Sequence, residues 1–276
     1  MKGSRGMVLA MLALALIVSS GAQASFVIEG GPLQWVLEGK PSSSRPVEYV
    51  DLRLIRVGEE RRSLYFRLSE LHDDQGNEFP LDLIVLRTPY DSDEQRWENV
   101  LSERCLLAAD DDYVDLKLGV RYSEVVVAGT YRGSLLSDAG EEVPLEVVVQ
   151  PFTDVTLGPA TIRLDALAGP GLYRAAEPAQ ISVRANHVNW IVNVNSGGLF
   201  RIDDQNRVAV QSEFIPLFFV EVRAANEPSG RENLRLQGED YGREALITFE
   251  VQAYVGWGHP AGTYGGVINV DVEVGD

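Results

Sequence analysis

Cysteine, basic charge and long apolar runs are what this 276-residue chain has little of. Cys105 is its single cysteine, so no internal disulfide can form and the fold must be held by its core. The apolar neighbours Leu106 and Leu107 favour burial of that thiol. Beyond the first 24 residues no run of about 20 apolar residues occurs, which excludes a later membrane-spanning helix. Acids outnumber bases by 41 to 24, and a chain this acidic is repelled by nucleic acid and anionic lipid. The simpler account of the acidity is solubility.

Recognisable chemistry is absent too. His72, His187 and His259 stand in separate segments without metal-ligand spacing. The chain has no Gly-x-Ser-x-Gly elbow, no phosphate-cradling glycine loop and no cysteine–histidine signature. Carboxylates are plentiful, yet none is singled out as a glycosidase acid or base. The sequence therefore predicts a protein that is not an enzyme and has no cofactor.

What is present begins with an address. Lys2 to Arg5 form a basic start, Met7 to Val18 an apolar run, and Ala22-Gln23-Ala24 a small-residue cleavage site, together a secretory signal peptide over 1–24. Loss of Lys2 and Arg5 takes the basic residues to 22 against 41 acidic ones, a mature net charge of −19. No cysteine follows the cleavage site and the chain ends on Gly275-Asp276, so neither a lipid anchor nor a hydrophobic tail is expected. The expected location is secreted, periplasmic or on the cell surface.

The chain also repeats itself, at spacings that suit a tandem array. Gly129-Thr130-Tyr131-Arg132-Gly133 returns as Gly262-Thr263-Tyr264-Gly265-Gly266, an offset of 133. Pro80-Leu81-Asp82-Leu83 aligns with Pro216-Leu217-Phe218-Phe219, an offset of 136. Glu98-Asn99-Val100 aligns with Glu232-Asn233-Leu234, Phe66-Arg67-Leu68 with Phe200-Arg201-Ile202, and Gly31-Pro32 with Gly158-Pro159. Five matches in one order imply two homologous domains, 25–150 and 151–276. The junction Gln150-Pro151-Phe152 is short and proline-stiffened.

Within each copy, short alternating segments are separated by Gly, Pro and Asp. The first copy predicts strands over 34–37, 47–57, 63–68, 81–87, 113–120, 123–128 and 143–150. The second predicts 161–164, 181–185, 190–194, 217–223, 246–254 and 267–274. The fold class that follows is all-β: two tandem antiparallel immunoglobulin-like β-sandwich domains. One helix is predicted, over 92–106, where Trp97, Val100, Leu101 and Arg104 share a face. The tyrosine motif reads as a turn whose glycines supply positive φ, feeding the valine strands 143–149 and 267–274. Ser137 to Glu142, present in one copy alone, reads as an insertion rather than as a sign that the second copy lacks a final strand.

Ala261-Gly262-Thr263-Tyr264 with its terminal alternating strand resembles the last strand of bacterial immunoglobulin-like surface modules, including spore-coat-U-type and fimbrial subunits. The resemblance implies a structural role at the cell surface and carries over no catalytic residue. Single-domain fimbrial subunits commonly carry a disulfide, which this chain cannot form. Tyr131 and Tyr264 are expected as corner residues, ring on the core and hydroxyl on backbone.

Two loops remain. His72 to Glu78 gathers oxygen ligands around Gly76, but its spacing departs from a calcium loop and a hairpin turn is the simpler account; calcium is the one ion left open. Asp110-Asp111-Asp112 reads as a solvated loop. Tyr254, Trp257 and His259 lie on a glycine-flanked loop that has no counterpart in the first copy, a place where binding modules put a stacking platform. The structural alternative is that Trp257 folds back over the core. The function expected is a non-enzymatic exported structural, adhesive or assembly component with a protein or glycan partner. The alternative is a carbohydrate- or ligand-binding module using the Trp257 loop. A periplasmic assembly chaperone fits the length but not the acidity or the likeness of the two copies.

Overall fold

Alternation makes the strands. In Leu33-Gln34-Trp35-Val36-Leu37 and in Leu64-Tyr65-Phe66-Arg67-Leu68 every second side chain is buried and its neighbours are exposed, as the two-residue period of a strand requires. The computed structural model describes residues 25–30, 32–41, 47–59, 61–89, 95–97, 103–123, 126–159, 161–162, 164, 169–202, 205, 214–222, 231–260 and 262–274. The leader, Gly31, Glu98-Asn99-Val100 and Ala261 lie outside the described residues. Contacts divide the chain into two compact units, Met1–Gln150 and Pro151–Asp276, each with its own hydrophobic cluster. Among the described residues no helix is long and apolar enough to cross a membrane.

The first unit contains β1 (Ser25–Gly30), β2 (Leu33–Leu37), β3 (Glu48–Val57), β4 (Leu64–Leu68), β5 (Ile84–Arg87), β6 (Gln95–Arg96), β7 (Arg104–Leu107), β8 (Tyr113–Val120), β9 (Gly129–Ser137) and β10 (Glu142–Val149). They form two five-stranded sheets, in the orders β1-β3-β8-β5-β6 and β2-β10-β9-β4-β7. The inward faces supply the core, including Leu54, Phe66, Phe79, Trp97, Tyr131 and Val147. Each such side chain contributes about 1.5–3 kcal/mol by leaving water. On the outer face of β3 and β8, Arg53 pairs with Asp115 at 2.6 Å.

The second unit contains β11 (Thr153–Gly158), β12 (Gly171–Arg174), β13 (Ala179–Ala185), β14 (Trp190–Ser196), β15 (Phe200–Arg201), β16 (Leu217–Glu221), β17 (Leu234–Gln237), the single turn α1 (Gly238–Tyr241), β18 (Glu244–Val255), β19 (Tyr264–Gly265) and β20 (Ile268–Val274). One sheet runs β11-β13-β18-β12, with β16 also paired to β18. Facing it are the three-stranded sheet β17-β14-β20 and the pair β15-β19. Trp190, Val192 and Val194 turn inward from β14, against Phe219 and Phe249 in the same core.

Several sequence expectations are corrected. Among the described residues of 92–106 no helix forms and two strands, β6 and β7, do, because Gln95 and Arg104 find partners on Leu86 and Phe66 that no helical period encodes. Cys105 is exposed: on β7 it points away from the face that buries Leu106. Residues 123–128 form no strand among those described, and Leu164 makes only an isolated bridge to Ala175. The tyrosine motif is no turn. Gly129 to Gly133 belong to β9, and the turn comes afterwards, at Ser137 to Glu141, where Ser137 N donates to the Glu141 carbonyl at 2.9 Å and Gly140 takes φ +86°.

Motif glycines do not take positive φ either. They supply room: a Cβ on Gly133 would stand 2.8 Å from the Glu70 carbonyl oxygen.

Candidate strand-accepting edge

Registers align the two units strand by strand. β1 on β3 pairs Phe26 with Arg56 and Gly30 with Leu52; β11 on β13 pairs Asp154 with Arg184 and Gly158 with Gln180. Every residue is displaced by 128 positions. The glycine matching Gly158 is therefore Gly30, not Gly31. β4 on β9 pairs Phe66 with Ser137 and Leu68 with Leu135; β14 on β20 pairs Val194 with Val270 and Ser196 with Ile268. Here the displacements are 128 on one strand and 133 on the other, the second being the spacing of the tyrosine motifs. Phe66 consequently matches Val194, and Phe200, opposite Gly265, matches His72, opposite Arg132. The sequence match of Phe66 to Phe200 is overturned by these registers.

The consequence is that β19 and β20 match β9, not β10. In the first unit β9 is paired along both edges. β10 runs antiparallel on one side, from Glu142 opposite Leu136 to Val149 opposite Gly129, and β2 lies parallel beyond it. β4 and the backbone of His72 take the other side. In the second unit β14 and β15 take one side, and among the described residues no strand pairs with the other. Ser137 to Glu142 is therefore the hairpin turn into a final strand that the second unit does not show among those residues, and the insertion reading is corrected.

Burial at matched positions records the difference. Tyr131 and Leu135 are fully buried, whereas their matches Tyr264 and Ile268 are only half-buried. Further along β20, Val272 and Val274 are 42% and 55% exposed. In the first unit Leu145, Val147 and Val149 of β10, opposite Gly133, Tyr131 and Gly129, are buried. An unpaired edge beside an uncovered aliphatic row is what β-augmentation uses. The opposite face is polar: Asn193 and Asn195 donate to Glu273 and Asp271 at 3.2 and 3.1 Å, beside a groove of about 630 Å³ lined also by Asn233, Arg235 and Asn269.

The sequence-predicted residues fall in two places. Tyr131 donates its hydroxyl to the Val127 carbonyl at 2.8 Å, and Tyr264 to the Pro260 carbonyl at 2.7 Å, each four residues back. Tyr254, at the end of β18, and Trp257, beyond it, are exposed; Trp257 at 91% does not fold back over the core. His259 accepts the Gly256 amide on Nδ1 at 2.9 Å and returns its own amide to the Gly256 carbonyl at 3.2 Å.

The acidic loop is a closed turn. Asp73 accepts the amides of Gln75 and Asn77 at 2.9 and 2.7 Å and the Asn77 side chain at 2.7 Å. Burial works against its charge, but these bonds and that from Gly76 outweigh it and hold the carboxyl below the ordinary aspartate range. Among the described residues no three His, Cys, Asp or Glu side chains converge as a metal site. His187 is buried, its Nε2 3.0 Å from Thr153 Oγ1, and burial lowers its pKa.

No family model matches the sequence, and no curated protein matches it. Solved structures to which the chain shows similarity include two complexes. One is a chaperone–tip adhesion subunit pre-assembly complex from archaic chaperone–usher Csu pili of Acinetobacter baumannii, with a TM-score of 0.43 and 13% identity over 90% of this chain and 100% of that one. The other is a chaperone–tip adhesin complex of CFA/I fimbriae biogenesis, with a TM-score of 0.29 and 10% identity over 93% of this chain and 86% of that one.

Proposed function

We propose that this chain is a non-enzymatic, exported assembly and adhesion component of the bacterial surface, whose second unit receives a β-strand from a partner protein. The open edge of β19 and β20 carries the reading. The chain itself shows what fits beside the matching strand: β10, antiparallel, with aliphatic residues at every second position. A partner segment of that pattern would pair with the backbone from Gly262 to Asn269 and cover Tyr264 and Ile268. The two units are, in this reading, tandem copies of an immunoglobulin-like sandwich over 25–150 and 151–276, supported by the shared 128-residue displacement of their registers. Residues 1–24 would direct export to the periplasm or cell surface.

Supplying the strand in cis tests this. The sequence of residues 142–150, carried on a flexible glycine–serine linker after residue 276, is held at millimolar effective concentration. Unfolding of the second unit in urea is expected to shift by on the order of 2–4 kcal/mol, the aliphatic burial less the cost of ordering the segment. A control with serine at the positions of Leu145, Val147 and Val149 should give no shift. Equal behaviour of the two chains would sink the reading.

A further inference from the structure

Three of the four tryptophans, Trp35, Trp97 and Trp190, are buried, and the fourth stands almost wholly in solvent. Trp257 sits between Gly256 and Gly258 on a turn closed by the Gly256–His259 pair of hydrogen bonds. The glycines leave the ring faces uncovered, and the turn fixes the backbone that carries the ring before any ligand arrives. Nearby in the fold, β12 and β18 set Leu172 opposite Tyr254, both exposed, Tyr254 at 59%. Two aromatic rings and one leucine thus stand uncovered at one end of the second unit.

We propose that this loop is a saccharide-binding site, with Trp257 as the stacking platform and Tyr254 as a second ring, for a neutral glycan. Size and charge select that occupant. Fully covered, the three side chains would bury on the order of 500 Å², short of the ~800 Å² per partner of a stable protein interface but ample for one or two sugar rings. A pyranose offers an apolar C–H face to an indole and hydroxyls to the Tyr254 hydroxyl and the backbone of the turn. The net charge of the whole chain, −17, opposes acidic polysaccharides and anionic membranes.

The mature chain is titrated with the neutral hexasaccharides of β-1,4-glucose, β-1,4-N-acetylglucosamine and α-mannose, read by calorimetry and tryptophan emission. At least one is expected to bind saturably and shift the emission of the exposed tryptophan. Trp257→Ala should weaken that binding at least about tenfold, while Trp257→Tyr, which keeps a ring, should stay within about threefold. Failure of all three sugars to bind overturns the proposal, as does equal binding by Trp257→Ala. Capture by phosphatidylcholine vesicles that depends on Trp257, without sugar binding, overturns it in favour of a lipid surface. Trp257→Ala should leave the gain from the cis strand unchanged, so the two proposals fail independently.

Discussion

The two units carry strand registers displaced by constant offsets and differ in what flanks the tyrosine strand. In the first, the tyrosine strand β9 is flanked on both sides and its inward residues Tyr131 and Leu135 are sealed. In the second, the matching strand is flanked on one side alone among the described residues, and its inward residues are half-buried. Equivalent substitutions should therefore cost unequal amounts. A difference between the units in solution would come from one strand, and its absence would dissolve the comparison.

The largest inequality is expected for an acid on the aliphatic row. Leu135→Asp places a carboxylate where Leu135 is buried, and should destabilise the first unit by roughly 3–5 kcal/mol. Ile268→Asp, at the matched but half-buried position, should cost less, about 1–2 kcal/mol, while abolishing the gain from the cis strand. Urea unfolding followed separately for each unit reads both.

No such relief is expected at the matched glycines beside the tyrosines, where backbone stands close in both units. Gly133→Ala pushes a methyl against the Glu70 carbonyl oxygen and Leu71 and should cost about 1–3 kcal/mol. A Cβ on Gly266, the match of Gly133, would press on the Gly198 carbonyl oxygen and on Leu199, so Gly266→Ala should cost at least as much. Thermal melts of the two variants decide the order.

Removal of one hydroxyl sharpens the comparison further. Tyr131→Phe leaves the Val127 carbonyl without that donor beneath a buried ring and should cost about 1–1.5 kcal/mol; Tyr264→Phe, where water reaches, should cost about 0.5 kcal/mol. Equal losses would mean that the second corner is as sealed as the first.

The least effect concerns pH and the second unit alone. Burial lowers the pKa of His187, so below about 6.5 the unfolded chain takes up a proton that the folded imidazole resists. Stability of the second unit should fall as pH drops through that value and level off once the lowered folded pKa is passed. His187→Gln should flatten this dependence in unfolding titrations between pH 7.5 and 5.

Much of the fold was legible because alternation was. Tyr113 to Val120 reads as a strand from its period and is one. The open edge was illegible for the same reason. Val143 to Val149 and Val267 to Val274 carry the same alternation, yet one is the partner of the tyrosine strand and the other its continuation. Period reports which face is buried, not which strand lies alongside. The helix expected over 92–106 failed on long-range pairing, since the partners of Gln95 and Arg104 are set by topology. Trp257 was singled out by its flanking glycines, but its exposure depends on what the rest of the unit leaves uncovered.

Native-state amide hydrogen exchange on the unmodified chain tests the central claim most directly, because it reads backbone pairing edge by edge. From Thr130 to Leu136 every amide should be protected, being bonded to one side or the other. From Thr263 to Asn269 protection should alternate, with the amides that point away from β14 and β15 exchanging within the fast regime of exposed backbone. Uniform protection across Thr263 to Asn269, equal to that of β9, would show that a strand already covers this edge and would contradict the account.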